Sequence, residues 1–127
     1  WSHLSSQPEL RERALSLIAP YAQQAIAQPL GFAGVLRCLV EYRAPARELI
    51  VVGDDLSPAW APARSWTPPG AISLVLTPAQ AQEFLALGMS VLEGRTQAEQ
   101  TTAYLCEAGV CALPVSDPAA LAAKLTQ

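Results

Sequence analysis

Two cysteines near the C-terminal end of the chain have the spacing most suggestive of chemistry. Cys106 and Cys111 bracket Glu107-Ala-Gly-Val110. If Ala108-Gly109 forms a two-residue hairpin loop, Glu107 pairs with Val110 and Cys106 falls directly opposite Cys111. That second pair is of the non-hydrogen-bonded kind, with Cα atoms about 4.5 Å apart. A disulfide is then within reach, and short cross-strand bridges tend to be reducible. The pair is therefore a candidate redox-active or regulatory dithiol. The same residues also read as two small, soft side chains filling one face of a hairpin. Ala-Gly is a weaker turn than Asn-Gly, so a register slipped by one residue stays open.

Gly53-Asp54-Asp55 is the other candidate. It follows a short apolar run that reads as a strand, and open α/β sheets bind ligands where their strands end. Paired aspartates there could hold a metal or a ribose, or simply form a solvated turn. Trp60 and Trp66, in a proline-rich stretch, could stack on a sugar or a peptide, or cover the sheet; covering is the expectation. Glu9, Glu12, Glu41 and Glu83 lie on helices with no evident partner carboxylate, so no general acid–base pair is nominated. His3, the only histidine, stands near the start of the chain. A tetrahedral zinc site needs three or four ligands, so neither zinc nor a Cys–His nucleophile is expected. Cys38 lies within an apolar helical pattern and is expected in the core. No catalytic residue, metal or cofactor is assigned.

The elements that must position these residues begin with a helix near Pro8, which Ser5 or Ser6 could cap. Leu10, Ala14, Leu17, Ile18, Ala25 and Ile26 recur at helical spacing, and Pro20 should kink or split the pattern. A second helix is expected from about Leu30 to Tyr42, with Phe32, Val35, Leu36, Leu39 and Val40 facing one way. The short break at Gln28-Pro29 makes the two an antiparallel hairpin spanning 7–43. The period then changes. Glu48-Leu-Ile-Val-Val-Gly53 and Ala71–Thr77 read as buried strands. The stretch between them is long enough for a parallel crossover but irregular, with at most one helical turn, capped by Ser57. Thr77-Pro78 opens a third helix that Gly88 stops. The cysteine hairpin follows, and Asp117-Pro118 caps a last helix to about Leu125. The expected fold class is α/β: an N-terminal α-hairpin packed on a small mixed sheet of two parallel strands plus a C-terminal β-hairpin, in one domain whose α/β unit spans 48–127.

Composition narrows the classes of function. The chain has 127 residues, 51% apolar and only 15% charged, which argues for a packed globule and against disorder. Net charge is −3, and Lys124 is the only lysine among eight scattered basic residues. A phosphate-tracking basic stripe is missing, so nucleic acid is not an expected partner. No apolar run approaches the roughly 20 residues of a membrane span, and no signal-peptide pattern opens the chain. Three cysteines fit a secreted disulfide framework poorly, so a cytoplasmic, mostly reduced protein is expected. The chain begins at Trp1 and is read as trimmed or as a fragment.

Thr102-Ala-Tyr-Leu-Cys-Glu-Ala-Gly-Val-Cys-Ala-Leu-Pro-Val-Ser-Asp-Pro118 resembles the C-terminus of thioredoxin-domain-containing proteins of the spermatogenesis-associated type. Those typically read T-A-Y-V-C, a short variable stretch, C, then P-V-T-D-P and a last helix. Gln28-Pro-Leu-Gly-Phe-Ala-Gly-Val-Leu36, Glu48-Leu-Ile-Val-Val-Gly53 and Glu93-Gly94-Arg95 are similar to upstream motifs of the same family. The stretch 58–69 and the extra length at Thr96–Gln100 depart from its pattern. The resemblance implies a thioredoxin-like domain followed by a helical body similar to six-hairpin glycosidases. This chain would be the C-terminal tail, linked to carbohydrate metabolism by resemblance only. It holds no Cys-x-x-Cys, so no thioredoxin activity is carried over.

The leading expectation is therefore a non-catalytic C-terminal structural or interaction module, with the remainder of its parent chain as partner and self-association of the isolated fragment. The alternatives are a dithiol module using Cys106 and Cys111, and a small-ligand domain with its site near Gly53–Asp55.

Overall fold

A computed structural model describes residue 5 and residues 7–55, 57–97 and 99–126. His3 and Ser6 lie outside the described residues.

Helix α1 (Pro8–Ile18) gives way at Pro20 to a 3₁₀ turn, Ala19–Tyr21, before α2 (Ala22–Ala27) resumes. Proline removes one backbone donor and crowds the preceding turn, which is why the split falls there. Gln7 rather than a serine occupies the N-cap of α1, and its side chain makes no capping bond. The chain turns through residues 28–32 and returns as α3 (Ala33–Arg43), which packs against α1 and α2. Tyr21 stacks on Phe32, and the Arg11 guanidinium lies over the Tyr42 ring while donating to its carbonyl.

The sheet has strand order β2-β1-β3-β4. β1 (Arg47–Val52) runs parallel to β2 (Ala71–Leu76) and antiparallel to β3 (Thr102–Glu107), and β3 pairs antiparallel with the short β4 (Val110–Cys111). β1 is central, so its alternate residues enter two separate cores. Leu49 and Val51 pack with Trp60, Ala63, Ala103 and Leu121 on one face. Ile50 and Val52 pack with Leu76, Ala81 and Leu92 on the other.

The first face is covered by the crossover, a 3₁₀ turn (Pro58–Trp60) running into α4 (Ala61–Ser65), and by α6 (Pro118–Leu125). The crossover thus holds more helix than a single turn. Ser57 stands at its N-cap without a side-chain bond; its N–H instead donates to Asp55. The second face is covered by α5 (Pro78–Ala86) and the turn Ser90–Leu92. Thr77 and Gln80 form a complete capping box on α5, and Asp117 caps α6.

The helical hairpin meets the sheet at the start of β1. Gly70, with φ +74, donates its N–H to the Glu41 carboxylate and accepts from Arg47 N–H. A Cβ there would lie 2.7 Å from the Pro45 carbonyl and 2.8 Å from Ala44 Cβ, so only glycine lets the two chains approach this closely.

Candidate functional site

The β3–β4 hairpin holds the residues that sequence spacing singled out. Ala108 and Gly109 both have positive φ, 50° and 81°, as a type I′ loop requires. Glu107 pairs with Val110 and Cys106 with Cys111, so the register is the unslipped one. Cys106 and Cys111 are joined as a disulfide, with Cα atoms 3.9 Å apart. The tip is tied back by the Ala108 N–H, which donates to the Ala46 carbonyl at 2.8 Å just ahead of β1.

The two sulfurs differ in surroundings. Cys106 is 1% exposed, whereas Cys111 lies on the exposed edge strand. Cys106 stands across β3–β1 from Glu48. Strand alternation puts its side chain on the face of Tyr104, the face of the second core.

Arg95 completes this arrangement. The turn Ser90–Leu92 and the Arg95 N–H bond to the Leu92 carbonyl bring its side chain over the Tyr104 ring, 5.4 Å from the centroid. One guanidinium nitrogen, Nη2, lies 3.0 Å from Cys111 Sγ and 3.5 Å from Cys106 Sγ. The other, Nη1, is buried with no hydrogen-bond partner among the described residues, and Arg95 forms no ion pair with any described carboxylate. A cation is thus held against a disulfide, whose neutral sulfurs are weak acceptors.

No family model, curated protein or solved structure matches this chain. What the site can do must therefore be read from its own atoms. A disulfide between one exposed and one buried cysteine, beside a fixed cation, is an arrangement in which thiol–disulfide exchange is chemically feasible. In the sequence, Arg95 stands out only as part of Glu93-Gly94-Arg95. It stands 11 and 16 residues from the sulfurs it touches, a separation that follows no helical or strand period.

An open cavity of about 560 Å³ is bordered by Trp66, Leu105, Glu107, Lys124 and Leu125 together with both cysteines. Arg47 also lines it and pairs with Glu107 at 3.2 Å.

The Gly53–Asp55 loop lies elsewhere, at the far end of β1. Asp54 and Asp55 border a cleft of about 390 Å³ together with Glu99, Thr101 and Ser116. Asp55 has local work: its Oδ1 accepts from Ser57 N–H at 3.0 Å, and its carbonyl accepts from the Thr101 hydroxyl at 2.8 Å. Among the described residues, no group of three or more His, Cys, Asp or Glu is placed to hold a metal ion.

Trp60 is 2% exposed and Trp66 packs against the same core, so both cover the sheet. Cys38 is exposed on α3 as a free thiol rather than buried in the core. An isolated helical hairpin has two sides, and α3 covers only one of them. Among the described residues, no helix is long and apolar enough to cross a membrane.

Proposed function

We propose that this chain is a non-catalytic structural and interaction module whose helical hairpin docks onto further helices of a larger protein. One observation carries the reading. Across residues 8–43 only Ala25 is buried, while Leu17 is 66%, Ile26 75% and Leu30 96% exposed. The sheet, by contrast, buries four consecutive residues of β1. Covering a large aliphatic side chain contributes roughly 1.5–3 kcal/mol, so the hairpin has much to gain from a partner surface. The family resemblance supports the remainder of the parent chain, a glycosidase-like helical body, as that partner.

Sedimentation of the isolated chain over a wide concentration range tests the reading. Concentration-dependent association with a rising melting temperature is expected. A strictly monomeric species with invariant melting would remove its support.

A second reading, a redox-active or regulatory dithiol, is favoured by the contact of Arg95 with both sulfurs. In a reducing compartment a disulfide is usually transient, catalytic or redox-sensing rather than structural. Equilibration of the Cys106–Cys111 pair with glutathione redox buffers tests it; a pair that never exchanges would exclude it.

A further inference from the structure

The dithiol reading leaves open which sulfur exchanges and what steers the choice. We infer that Cys111 is the exchanging sulfur, Cys106 the resolving one, and Arg95 the positioning residue that holds negative charge on Cys111 once the pair is reduced. The inference rests on that dithiol reading.

Three features separate the sulfurs. Cys111 is exposed and Cys106 is 1% exposed, so Cys111 is the one a partner in solution can reach. Cys106 is buried, which disfavours a thiolate there, and Glu48 is its register partner on β1. Arg95 Nη2 is nearer Cys111, at 3.0 Å against 3.5 Å.

The remaining charged groups do not compete for this role. Glu107 neighbours Cys106 in sequence but is paired with Arg47. Lys124 and Arg47 border a cavity that both cysteines also line, but among the described residues it is Arg95 that donates to the sulfurs. A buried guanidinium nitrogen without a partner is costly. Its cost is offset if another state of the site supplies an anion, and the reduced dithiol is that state. A charge-assisted bond to thiolate is stronger than one to a neutral sulfur.

The chemistry balances with a second disulfide-bearing compound as co-reactant. The Cys111 thiolate attacks one sulfur of the partner disulfide, forming a mixed disulfide and expelling the partner's other sulfur as a thiolate. Cys106 then loses its proton to solvent and attacks Cys111 Sγ, closing the bond between the two cysteines and releasing the partner's second thiolate. Two electrons pass from this chain to the partner. The reverse course begins with a partner thiolate attacking Cys111, and Cys106 leaves as a thiolate still within reach of Arg95.

The test uses the full chain carrying Cys38→Ser, which removes the exposed free thiol. With oxidised glutathione, Cys106→Ser should accumulate a mixed disulfide on Cys111 at least ten-fold faster than Cys111→Ser accumulates one on Cys106. The pH midpoint for alkylation of Cys111 in Cys106→Ser should lie below the ordinary thiol value of about 8.5. It should rise toward that value in Arg95→Gln and recover at least partly in Arg95→Lys. Equal adduct rates on the two sulfurs, or an unmoved midpoint in folded Arg95→Gln, would overturn the assignment while the dithiol reading stood. Should Arg95→Gln unfold, Arg95→Met decides, because it removes the charge but keeps an unbranched apolar stem to pack over Tyr104; an unmoved midpoint there overturns the role of Arg95. If the intact pair never exchanges with glutathione, both the dithiol reading and this inference fall.

Discussion

Gly53 and Thr101 stand so close that no larger residue fits between the end of β1 and the approach to β3. A Cβ on Gly53 would lie 2.2 Å from Thr101 Oγ1 and 2.4 Å from its Cα. The second contact is with backbone, which cannot swing aside as a side chain can. Gly53→Ala should therefore destabilise the fold by the cost of overpacking, about 1–3 kcal/mol, read as a lower urea midpoint with an unchanged slope.

The same loop separates a turn from a ligand site. Asp55→Ala removes a side-chain bond to Ser57 N–H and should cost about 1 kcal/mol. Asp54 is exposed and accepts no side-chain hydrogen bond among the described residues, so Asp54→Asn should change stability by less than about 0.5 kcal/mol. Urea titration of both variants checks the contrast. Equal and large losses would show that the two aspartates act together.

Ala108 is the described non-glycine residue with positive φ. Left-handed backbone costs an ordinary L-residue roughly 1–2 kcal/mol, and asparagine tolerates it better. Ala108→Asn should stabilise the chain by up to about 1 kcal/mol by completing the preferred Asn-Gly loop. Denaturation with and without reductant checks it, and the gain should persist in both. Loss of stability would mean that the tie from Ala108 N–H to Ala46 constrains the loop more than its φ does.

The Cys106–Cys111 bond closes a very short loop, five residues apart in sequence. Loop-closure entropy then gives it only about 2 kcal/mol of stabilisation. Reductant should lower the denaturation midpoint by that modest amount and leave the sheet folded, because β1, β2 and β3 carry the core. Before reduction one thiol per chain, Cys38, should react with a thiol reagent without denaturant. Two or three reactive thiols in the oxidised protein would contradict the pairing.

What the sequence could reveal followed how local each signal was. β1 showed itself as an uninterrupted apolar run, Leu49–Val52, because both of its faces are covered. The α5 and α6 starts were legible from Thr77-Pro78 and Asp117-Pro118, since a cap is written in adjacent residues. The hairpin register followed from counting outward from Ala108-Gly109. Cys38 was misplaced because helical periodicity reports which residues could share an apolar face, not whether anything covers it. Arg95 escaped as a site residue for a different reason: its contact with the sulfurs exists only once the turn Ser90–Leu92 has folded against the sheet.

The exposed side chains of the helical hairpin give the sharpest separation between stability and association. Leu17, Ile26 and Leu30 bury little, so Leu17→Gln, Ile26→Gln and Leu30→Ser together should cost little folding free energy. Trp60→Ala, which empties the core beneath α4, should cost about 3–5 kcal/mol. If the hairpin is the docking surface, the triple variant should shift the self-association seen in sedimentation to much higher concentration while its melting temperature at high dilution stays that of the parent. Trp60→Ala should do the reverse, lowering the melting temperature and leaving this surface in place. Association that survives the triple variant unchanged would move the interaction surface off residues 8–43 and onto the sheet unit.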